Sequence, residues 1–352
     1  MISENLEEKI SLMEIIQTEL VPYVKQIDQD AYYAKNYLVK LGEEGYYLSD
    51  HLPKESIIQK RIILIEETAK VCMTTAFCLW CQFAAITYIE NSENKKLQQK
   101  FLPKLTSGEL IAGTGLSNPL KSFAKIETLH LKAEKVNGGF VINGALPAGS
   151  NIGKGHAFAI IARNEEFGPI MGFVSCDVDG MTLNQRTGYL ALNGSATYSC
   201  SFNNVFISDE NIISYDAEKF VQTIRSLFVS YQIPLGFGVT HSCIESMKKQ
   251  AEKNKEVHQY LRIQPTDLEV KYEHLRKKMC KQIRSKCSDW NEIIQLRLEM
   301  VDLTLFAVQT NMIHAGGAGY LQTSSASRKL REAYFLVNLT PTVKHLELLK
   351  HR

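Results

Sequence analysis

The sequence changes its pattern twice, and these two changes constrain the fold more than any other feature. Fourteen of the 21 glycines lie between Gly108 and Gly194, in a stretch whose apolar residues often alternate with polar ones. Alternation with a period of two is typical of half-buried β-strands. The flanking segments carry helical spacing instead. The chain is therefore predicted to be α+β, with a central β unit between two helical units.

The central unit, residues 110–214, is predicted to hold several short strands. Leu131 and Ala133 alternate with charged neighbours, and residues 198–203 repeat the pattern. Asn137-Gly138 predicts a type I′ hairpin turn between two of these strands. Short strands joined by regular turns favour a barrel or a sandwich.

The first flank is predicted to be helical throughout. Glycines at 42 and 45 end one helix, and Pro53 opens a long apolar helix over residues 57–89. Residues 71–89 carry no formal charge, and a run of this length could span a bilayer. Thr74, Thr75, Gln82 and Thr87 interrupt this run, so we expect a helix buried in the core rather than a membrane span.

The second flank is also predicted to be helical. Residues 220–250 form an amphipathic helical segment interrupted by Pro234 and Gly236. Residues 265–286 form a basic helix that we expect to be a solvated face or a phosphate-binding surface. Asp289 and Glu292 form a capping box that opens the next helix, which ends at the glycine cluster 316–319. A last helix is predicted over residues 327–335.

Composition excludes several classes of protein. A chain of 352 residues is too long for one core, so two or three units are expected. Its net charge of +2 is too small to predict binding to nucleic acid or to a membrane surface through overall electrostatic attraction. The polar first residues do not have the pattern of a secretory signal. The eight cysteines are scattered, and we expect them to be buried reduced thiols. We therefore expect a cytoplasmic location.

Isolated motifs identify no chemistry. The glycine cluster 316–319 follows a helix rather than a strand, so it is not a dinucleotide-binding fingerprint. Gly153-Lys154-Gly155 lacks the rest of a P-loop. The nine histidines form no HExxH or HxxxH pattern, so no metal site is predicted. The residues alone predict a helix–β–helix protein with glycine-lined loops.

The order of several short segments carries a resemblance that no single segment does. They are QQKFLPKLTSGE (98–109), LSNP (116–119), NG with SN (143–144, 150–151), NGSAT (193–197), FNNVFI (202–207), GGAGY (316–320) and RKLREA (328–333). In this order they resemble the acyl-CoA dehydrogenase family over nearly the whole chain. The resemblance implies an N-terminal helical domain (1–109), a central β-barrel domain (110–214) and a C-terminal four-helix-bundle domain (215–352).

The resemblance also implies a cofactor, FAD, bound between the β-domain and the C-terminal helices and partly by a second subunit. We therefore expect a homodimer or homotetramer. The substrate is expected to be an acyl thioester, carried by CoA or by an acyl-carrier protein. The residues expected to contact FAD lie in two loops of the β-domain, at a helix end and in the last loop: Leu116, Ser117, Ser150, Asn151, Gly316, Gly317 and Thr342.

The catalytic base of the family has no acidic counterpart at either expected position. One position corresponds to Thr340, and the other falls near Ser226 or Leu227. A threonine hydroxyl is a poor proton acceptor at neutral pH. Acidic or basic residues considered as a relocated base are Glu245, Asp267, Glu269 and His314, and the catalytic residue is left unassigned.

Three functions follow from these observations. The first is a FAD-dependent oxidoreductase of acyl-CoA dehydrogenase type with its base at another position. The second is a flavin monooxygenase on the same fold, which activates oxygen and needs no α-proton base. The third is a non-catalytic subunit that keeps the fold.

Overall fold

The computed structural model describes residues 6–49, 52–284 and 289–352. The order of helical, β and helical segments is as predicted. Helices precede the sheet at Leu6–Ile15 (α1), Val24–Gln29 (α2), Lys35–Glu43 (α3), Lys54–Val71 (α4), Met73–Glu90 (α5) and Lys95–Thr106 (α6), with a π-helical turn at Ile16–Leu20 and a 3₁₀ turn at Val21–Tyr23.

The middle of the chain forms eight strands and one short helix. The helix is Ser117–Phe123 (α7), and the strands are Ala112–Thr114 (β1), Leu131–Val136 (β2), Gly139–Gly149 (β3), Ala157–Asn164 (β4), Gly168–Ser175 (β5), Met181–Gln185 (β6), Tyr198–Ser208 (β7) and Ile212–Ser214 (β8). They make one sheet in the order β6-β7-β3-β2-β4-β5-β8, with β1 paired to β4.

This sheet curls around a core of its own. Pairing is antiparallel except where β4 meets β1 and β2. Apolar residues of β2, β3, β4, β5, β7 and β8 form one buried cluster. A side chain at Gly172 on β5 would lie 3.4 Å from Ile207 on β7, so strands far apart in the sheet order face each other. The arrangement is that of the predicted barrel-like domain.

The predicted hairpin forms, but its turn differs from the expected type. Strands β2 and β3 pair up to Val136 and Gly139, leaving Asn137 and Gly138 as the two-residue loop. Gly138 has a φ of 78°, whereas Asn137 does not have a positive φ. A type I′ turn needs positive φ at both loop residues, so that prediction of turn type was wrong.

The single long helix predicted at residues 57–89 is two helices. The chain breaks at Cys72, whose φ of −150° and ψ of 109° are extended. Arg328 donates to the carbonyl of Val71 at 2.9 Å and pairs with Glu332 at 2.9 Å. Glu332 in turn accepts from the hydroxyl of Thr74 at 3.1 Å. A distant ion pair therefore satisfies polar groups at both sides of the break.

Helix α5 is the centre of the N-terminal unit. Every residue from Met73 to Ile89 is buried, and the helix joins a core that includes residues of β1, β4 and the C-terminal helices. Gln82 satisfies its amide by donating to the carbonyls of Leu105 and Leu110. None of the helices that the structure describes has the length and hydropathy of a membrane span.

Seven helices follow the sheet in the part of the chain that the structure describes. They are Ala217–Ser230 (α8), Ile233–Lys253 (α9), Lys255–His258 (α10), Pro265–Arg284 (α11), Trp290–Gly319 (α12), Ser325–Asn338 (α13) and Val343–Lys350 (α14). Helices α9, α11, α12 and α13 pack together as the predicted bundle. The predicted segment 220–250 is thus two helices, α8 and α9, and α14 was not predicted.

Close packing in the bundle depends on small residues. A Cβ atom at Gly236 on α9 would overlap the sulfur of Met300 on α12, and one at Gly238 would overlap the backbone of α4. Helix α12 begins at Asp289, whose carboxylate accepts from the amide of Asn291 at 2.9 Å. Gly316, with φ 56° and ψ −146°, kinks this helix within the predicted glycine cluster.

The described cysteines are free thiols, and all but Cys280 are buried. Burial raises the pKa of Cys243 to about 11 and those of Cys176 and Cys200 to about 12. Protonated thiols of this kind are unreactive. The prediction of buried thiols was wrong for Cys280, and Cys287 lies outside the described residues.

Candidate functional site

A large cavity lies between the sheet and the C-terminal helices. Its volume is about 450 Å³, which is within the usual range of small-molecule and cofactor sites. Two sides of the cavity differ in chemistry. The sheet supplies hydroxyls, and the helices supply aromatic and apolar groups together with Arg331. We refer to this space as the central cavity.

Three of the predicted cofactor residues line the central cavity: Leu116, Ser117 and Ser150. Neither of the two segments is the free loop that the sequence predicted. Ser117 is the first residue of α7, and the segment before Ser150 is the end of β3. Ser150 also bridges to Thr114 on β1. Regular backbone pairing, rather than loop flexibility, therefore fixes both serines.

Ser150 belongs to a row of hydroxyls along the sheet side. Its oxygen lies 2.8 Å from that of Thr197, which lies 2.8 Å from that of Ser195. Ser195 donates to the carbonyl of Leu192 at 2.6 Å, which fixes the direction of the row. The sequence analysis missed Thr197 and Ser195 as site residues, although they stand in the NGSAT segment.

Asn151 lies next to Ser150 but is completely buried. Its amide nitrogen donates to the carbonyl of Ala112 at 2.8 Å, and its amide oxygen accepts from Tyr33 at 2.6 Å. Both ends of the side chain are thus bound to protein. In this structure Asn151 supports the wall behind Ser150, and its side chain is not free for the predicted cofactor contact.

Thr340 lies opposite Ser117 on the helical side. Their hydroxyl oxygens are 2.9 Å apart, and the carbonyl of Thr340 accepts from Gln232 at 2.9 Å. Gln232 also accepts from the Nε of Arg297 at 3.2 Å. This row of hydrogen bonds connects the cavity wall to the interior of the bundle.

Arg297 is a fully buried cation whose contacts include no carboxylate. Its guanidinium donates to Gln232 and to the carbonyl of Leu336, and its Nη1 has no partner in the described structure. Burial lowers the pKa of Arg297 to about 9. Burying a positive charge without a counter-ion costs desolvation free energy. The charge also creates a positive potential behind Thr340.

Aromatic rings form the apolar floor of the cavity. Phe77 and Trp80 stack with centroids 5.5 Å apart, and Phe228 and Phe335 meet them edge to face at 4.9 and 4.8 Å. The indole nitrogen of Trp80 donates to the carbonyl of Phe228 at 3.2 Å, so its polar atom is satisfied. Such a floor suits a flat ring or an acyl chain.

Arg331 is the charged residue among those that line the cavity. It forms two 2.7 Å hydrogen bonds with Asp28 of α2, and this partner raises its pKa. Its Nε is buried without a partner. Asp and Glu are absent from the described residues that line the cavity. Arg331 lies in the RKLREA segment, but the sequence alone gave it no role.

The remaining predicted residues lie elsewhere. Gly316 and Gly317 are exposed at the kink of α12, with open space around them. Thr342 caps α14 by accepting from the amide of His345. Contact of these three with FAD therefore stays a prediction.

None of the four residues considered as a relocated base lines the central cavity. Glu245 and Glu269 both pair with Lys248. Asp267 accepts from the amide of Gln264 at the start of α11. His314 pairs with His258 at 3.2 Å. Each is occupied by a contact of its own within the C-terminal helices.

A second, smaller cavity adjoins the central one at Phe228. It measures about 140 Å³ and is lined by α7, α8 and α14. Arg225 lies over the ring of Trp290 at 4.6 Å, and Arg352 donates to the carbonyl of Ala124 at 2.9 Å. The basic helix predicted at 265–286 is absent from the walls of both cavities, and its Lys286 lies outside the described residues.

Comparison with known sequences supports the resemblance. Residues 6–109 match the family model of the acyl-CoA dehydrogenase N-terminal domain. The 2-methylacyl-CoA dehydrogenase of Solanum tuberosum is 22% identical over 376 residues, covering 98% of this chain and 90% of the relative. The isovaleryl-CoA dehydrogenase of the same plant is 23% identical over 216 residues, covering 58% of this chain and about half (52%) of the relative.

Comparison with solved structures supports the fold over the whole chain. A glutaryl-CoA dehydrogenase bound to glutaryl-CoA superimposes with a TM-score of 0.87 at 16% identity, covering 100% of this chain and 95% of the other. The prolyl acyl carrier protein oxidase AnaB superimposes with a TM-score of 0.85 at 14% identity, covering 99% and 98%. The family model, the relatives and the shared fold all indicate the acyl-CoA dehydrogenase family, which confirms the predicted resemblance.

Proposed function

We propose that this chain, a member of the acyl-CoA dehydrogenase family, is a FAD-dependent oxidoreductase that acts on an acyl thioester. The observation that supports this most directly is the central cavity. It combines a row of hydroxyls, an apolar floor and the side chain of Arg331 around one space of about 450 Å³. The relatives are named acyl-CoA dehydrogenases, and AnaB is named a prolyl acyl carrier protein oxidase.

The residues of the cavity fit the flavin ring. An isoalloxazine has hydrogen-bond acceptors along one edge and two flat apolar faces. Ser117 offers a hydroxyl for that edge, and Ser150, whose own hydrogen is directed to Thr197, offers an oxygen that can accept from a ring N–H. FAD, when bound, accepts a hydride from the substrate. The protein supplies the orientation and excludes water through Phe77, Trp80 and the other rings of the floor.

The adenosine half of FAD fits this single chain less well. Gly316 and Gly317 are exposed and have no protein atoms within 4 Å of a Cβ position. A second copy of the chain would be needed to enclose a nucleotide there. We therefore keep the homodimer or homotetramer as part of the proposal.

The adjoining cavity suits the carrier of the thioester. It shares Phe228 with the central cavity, and its lining carries Arg225 and Arg352 against one carboxylate, Glu218. A phosphopantetheine arm carries a negatively charged phosphate at one end and the thioester at the other. The phosphate end suits the arginines of the adjoining cavity, and the thioester end suits the central cavity. Both CoA and an acyl-carrier protein present this arm, and the proposal includes both.

Proton abstraction is the step for which the cavity is least suited. The α-proton of a thioester needs a base, and the hydroxyl of Thr340 stands at the position considered for it. The absence of Asp and Glu from the described cavity walls favours a second candidate, a flavin monooxygenase, because oxygen activation needs no such base. It also fits a non-catalytic subunit.

The visible absorption spectrum of the purified protein tests the proposal first. Bound flavin gives a yellow protein with absorption near that of free FAD. Anaerobic addition of acyl-CoAs, and separately of acyl-carrier proteins, should then bleach the flavin if the dehydrogenase reaction occurs. Absence of bleaching, together with oxygen insertion after chemical reduction, would favour the monooxygenase. A colourless protein that takes up no added FAD would exclude both.

A further inference from the structure

A third cavity lies where the N-terminal helices meet the sheet, and no part of the proposed reaction uses it. Its volume is about 190 Å³, roughly six times the ~30 Å³ share of a liquid water molecule. Residues of both units line it, among them Tyr33, Lys35, Lys154 and His156. The chain runs from the central cavity at Ser150 to this one at Ile152, so one residue, Asn151, lies between the two spaces.

The Gly153-Lys154-Gly155 segment forms one wall of this cavity. Gly153 and Gly155 have φ values of 157° and 77°, which L-residues with side chains rarely adopt. The carbonyl of Gly153 accepts from the amide of His156 at 3.0 Å, which closes a tight turn. Two glycines are thus used to present Lys154, although the segment is not a P-loop.

His156 places one ring nitrogen without a partner in this cavity. The side chain is 4% exposed, and its Nδ1 lies 3.2 Å from the carbonyl oxygen of Asn151. A carbonyl only accepts, so Nδ1 carries the proton and Nε2 is the free nitrogen. Nε2 has no hydrogen-bond partner among the described residues, and the ring of Tyr33 packs at 5.7 Å from the imidazole.

The charges around this imidazole are mainly positive. Lys35 and Lys154 are exposed and form no ion pair with described residues. Burial, and then Lys35, lowers the pKa of His156, while Asp177 opposes this effect. Asp177 accepts from the amide of Gly155 at 2.7 Å, which holds an acidic group near the wall. Tyr198 completes the cavity.

We propose that this third cavity binds a small doubly charged oxyanion, held by Lys35 and Lys154 and by His156 after it takes up a proton. Protonation places a hydrogen on Nε2, which turns the free acceptor into a donor toward the anion. The proton comes from solvent, and no bond in the anion breaks. Either inorganic phosphate or the end group of a small phosphorylated or dicarboxylate metabolite has this chemistry.

Sulfate is the probe, because it does not titrate between pH 5.5 and 7.5 and any pH dependence then belongs to the protein. Titration calorimetry of the full chain, at fixed ionic strength with chloride as balance, should show saturable binding. Affinity should increase toward low pH, by at most about tenfold per pH unit for one coupled proton. Measurements in buffers of different ionisation enthalpy should report the uptake of that proton.

Variants separate this site from general attraction of anions. Lys154→Ala should weaken sulfate binding about tenfold or more at constant ionic strength. His156→Gln should remove the pH dependence, and Asp177→Asn should tighten binding. Lys132→Ala, an exposed lysine on β2, is the matched control and should change nothing.

Three results would overturn the proposal. They are no saturable binding of sulfate by the wild-type chain, an equal loss in Lys132→Ala and Lys154→Ala, or a full pH dependence in a folded His156→Gln variant. Phosphate and succinate, titrated in the same way, distinguish an inorganic ion from a carboxylate end group. Tighter binding of either identifies the source of the oxyanion.

Discussion

The hydroxyls of Ser117 and Thr340 lie 2.9 Å apart, although 223 residues separate them in the sequence. One belongs to the start of α7 beside the sheet, and the other to the segment between α13 and α14. This contact closes one side of the central cavity. It also places a neutral hydroxyl where the family resemblance predicts a carboxylate base.

Thr340→Glu should create or accelerate the dehydrogenase reaction. A carboxylate at this position would accept the α-proton, and general base catalysis contributes about 10²- to 10⁴-fold in rate. The measurement is the rate of anaerobic flavin bleaching by a panel of acyl-CoAs. Thr340→Gln is the control, because it has the same size and no basic group. Equal rates for the two variants would contradict a role for the carboxylate.

Ser150→Ala should weaken the binding of FAD. The substitution removes one hydroxyl from the cavity, and a neutral hydrogen bond contributes about 1 kcal/mol, or roughly fivefold in affinity. Equilibrium titration of the apoprotein with FAD measures the effect. Ser107→Ala, at the end of α6 and away from the cavity, should bind FAD like the wild type. The interpretation fails if both variants lose the same affinity.

Asp28→Asn should destabilise the fold. Asp28 and Arg331 have side chains only 7% and 18% exposed and join α2 to α13 through two hydrogen bonds. Removing one partner of such a pair leaves the other charge uncompensated, and we expect a loss of about 2–3 kcal/mol. Urea unfolding measures the change. Asp30→Asn, at an exposed position two residues away, should leave the midpoint unchanged.

The paired histidines 258 and 314 should make stability sensitive to acid. His314 Nε2 donates to the carbonyl of Ile263 at 3.0 Å, so its Nδ1 accepts from Nδ1 of His258. Burial, and then the electrostatic interaction with His258, lowers the pKa of His314 below its usual value near 6.5. The unfolded chain therefore binds a proton that the folded chain does not.

Stability from His314 is accordingly complete above about pH 6.5 and is lost as the pH falls below it. Thermal unfolding between pH 5 and 7.5 measures this dependence. His314→Gln should reduce the slope, whereas His351→Gln, at an exposed position, should not. A slope unchanged by His314→Gln would assign the acid sensitivity to other groups.

The sequence predicted the β-rich middle because its signals are local. Strand alternation, the Asn137-Gly138 loop and the ends of helices depend on residues a few positions apart. The same reasoning failed in detail where a distant contact intervened. Leu116 and Ser117 were predicted to be loop residues, but Leu116 is the cap of a helix that packs beside β3.

The candidate site was predicted only in part. Ser117 and Ser150 were found through the family resemblance, and both line the central cavity. Arg331, Thr197 and the aromatic floor were not assigned, because their neighbours in space lie far away in sequence. The side chain of Asn151 is buried and bound to protein at both ends, and its contact with FAD stays a prediction.

The two helices α4 and α5 show where the limit falls. Periodicity by itself predicted that the segment 57–89 is largely helical and packs its apolar faces into the core, because apolar spacing records the faces that avoid water. The break at Cys72 was decided only by tertiary structure. Arg328, 257 residues from Val71, holds one side of it, and Glu332, 258 residues from Thr74, holds the other. No local pattern encodes polar partners at that separation.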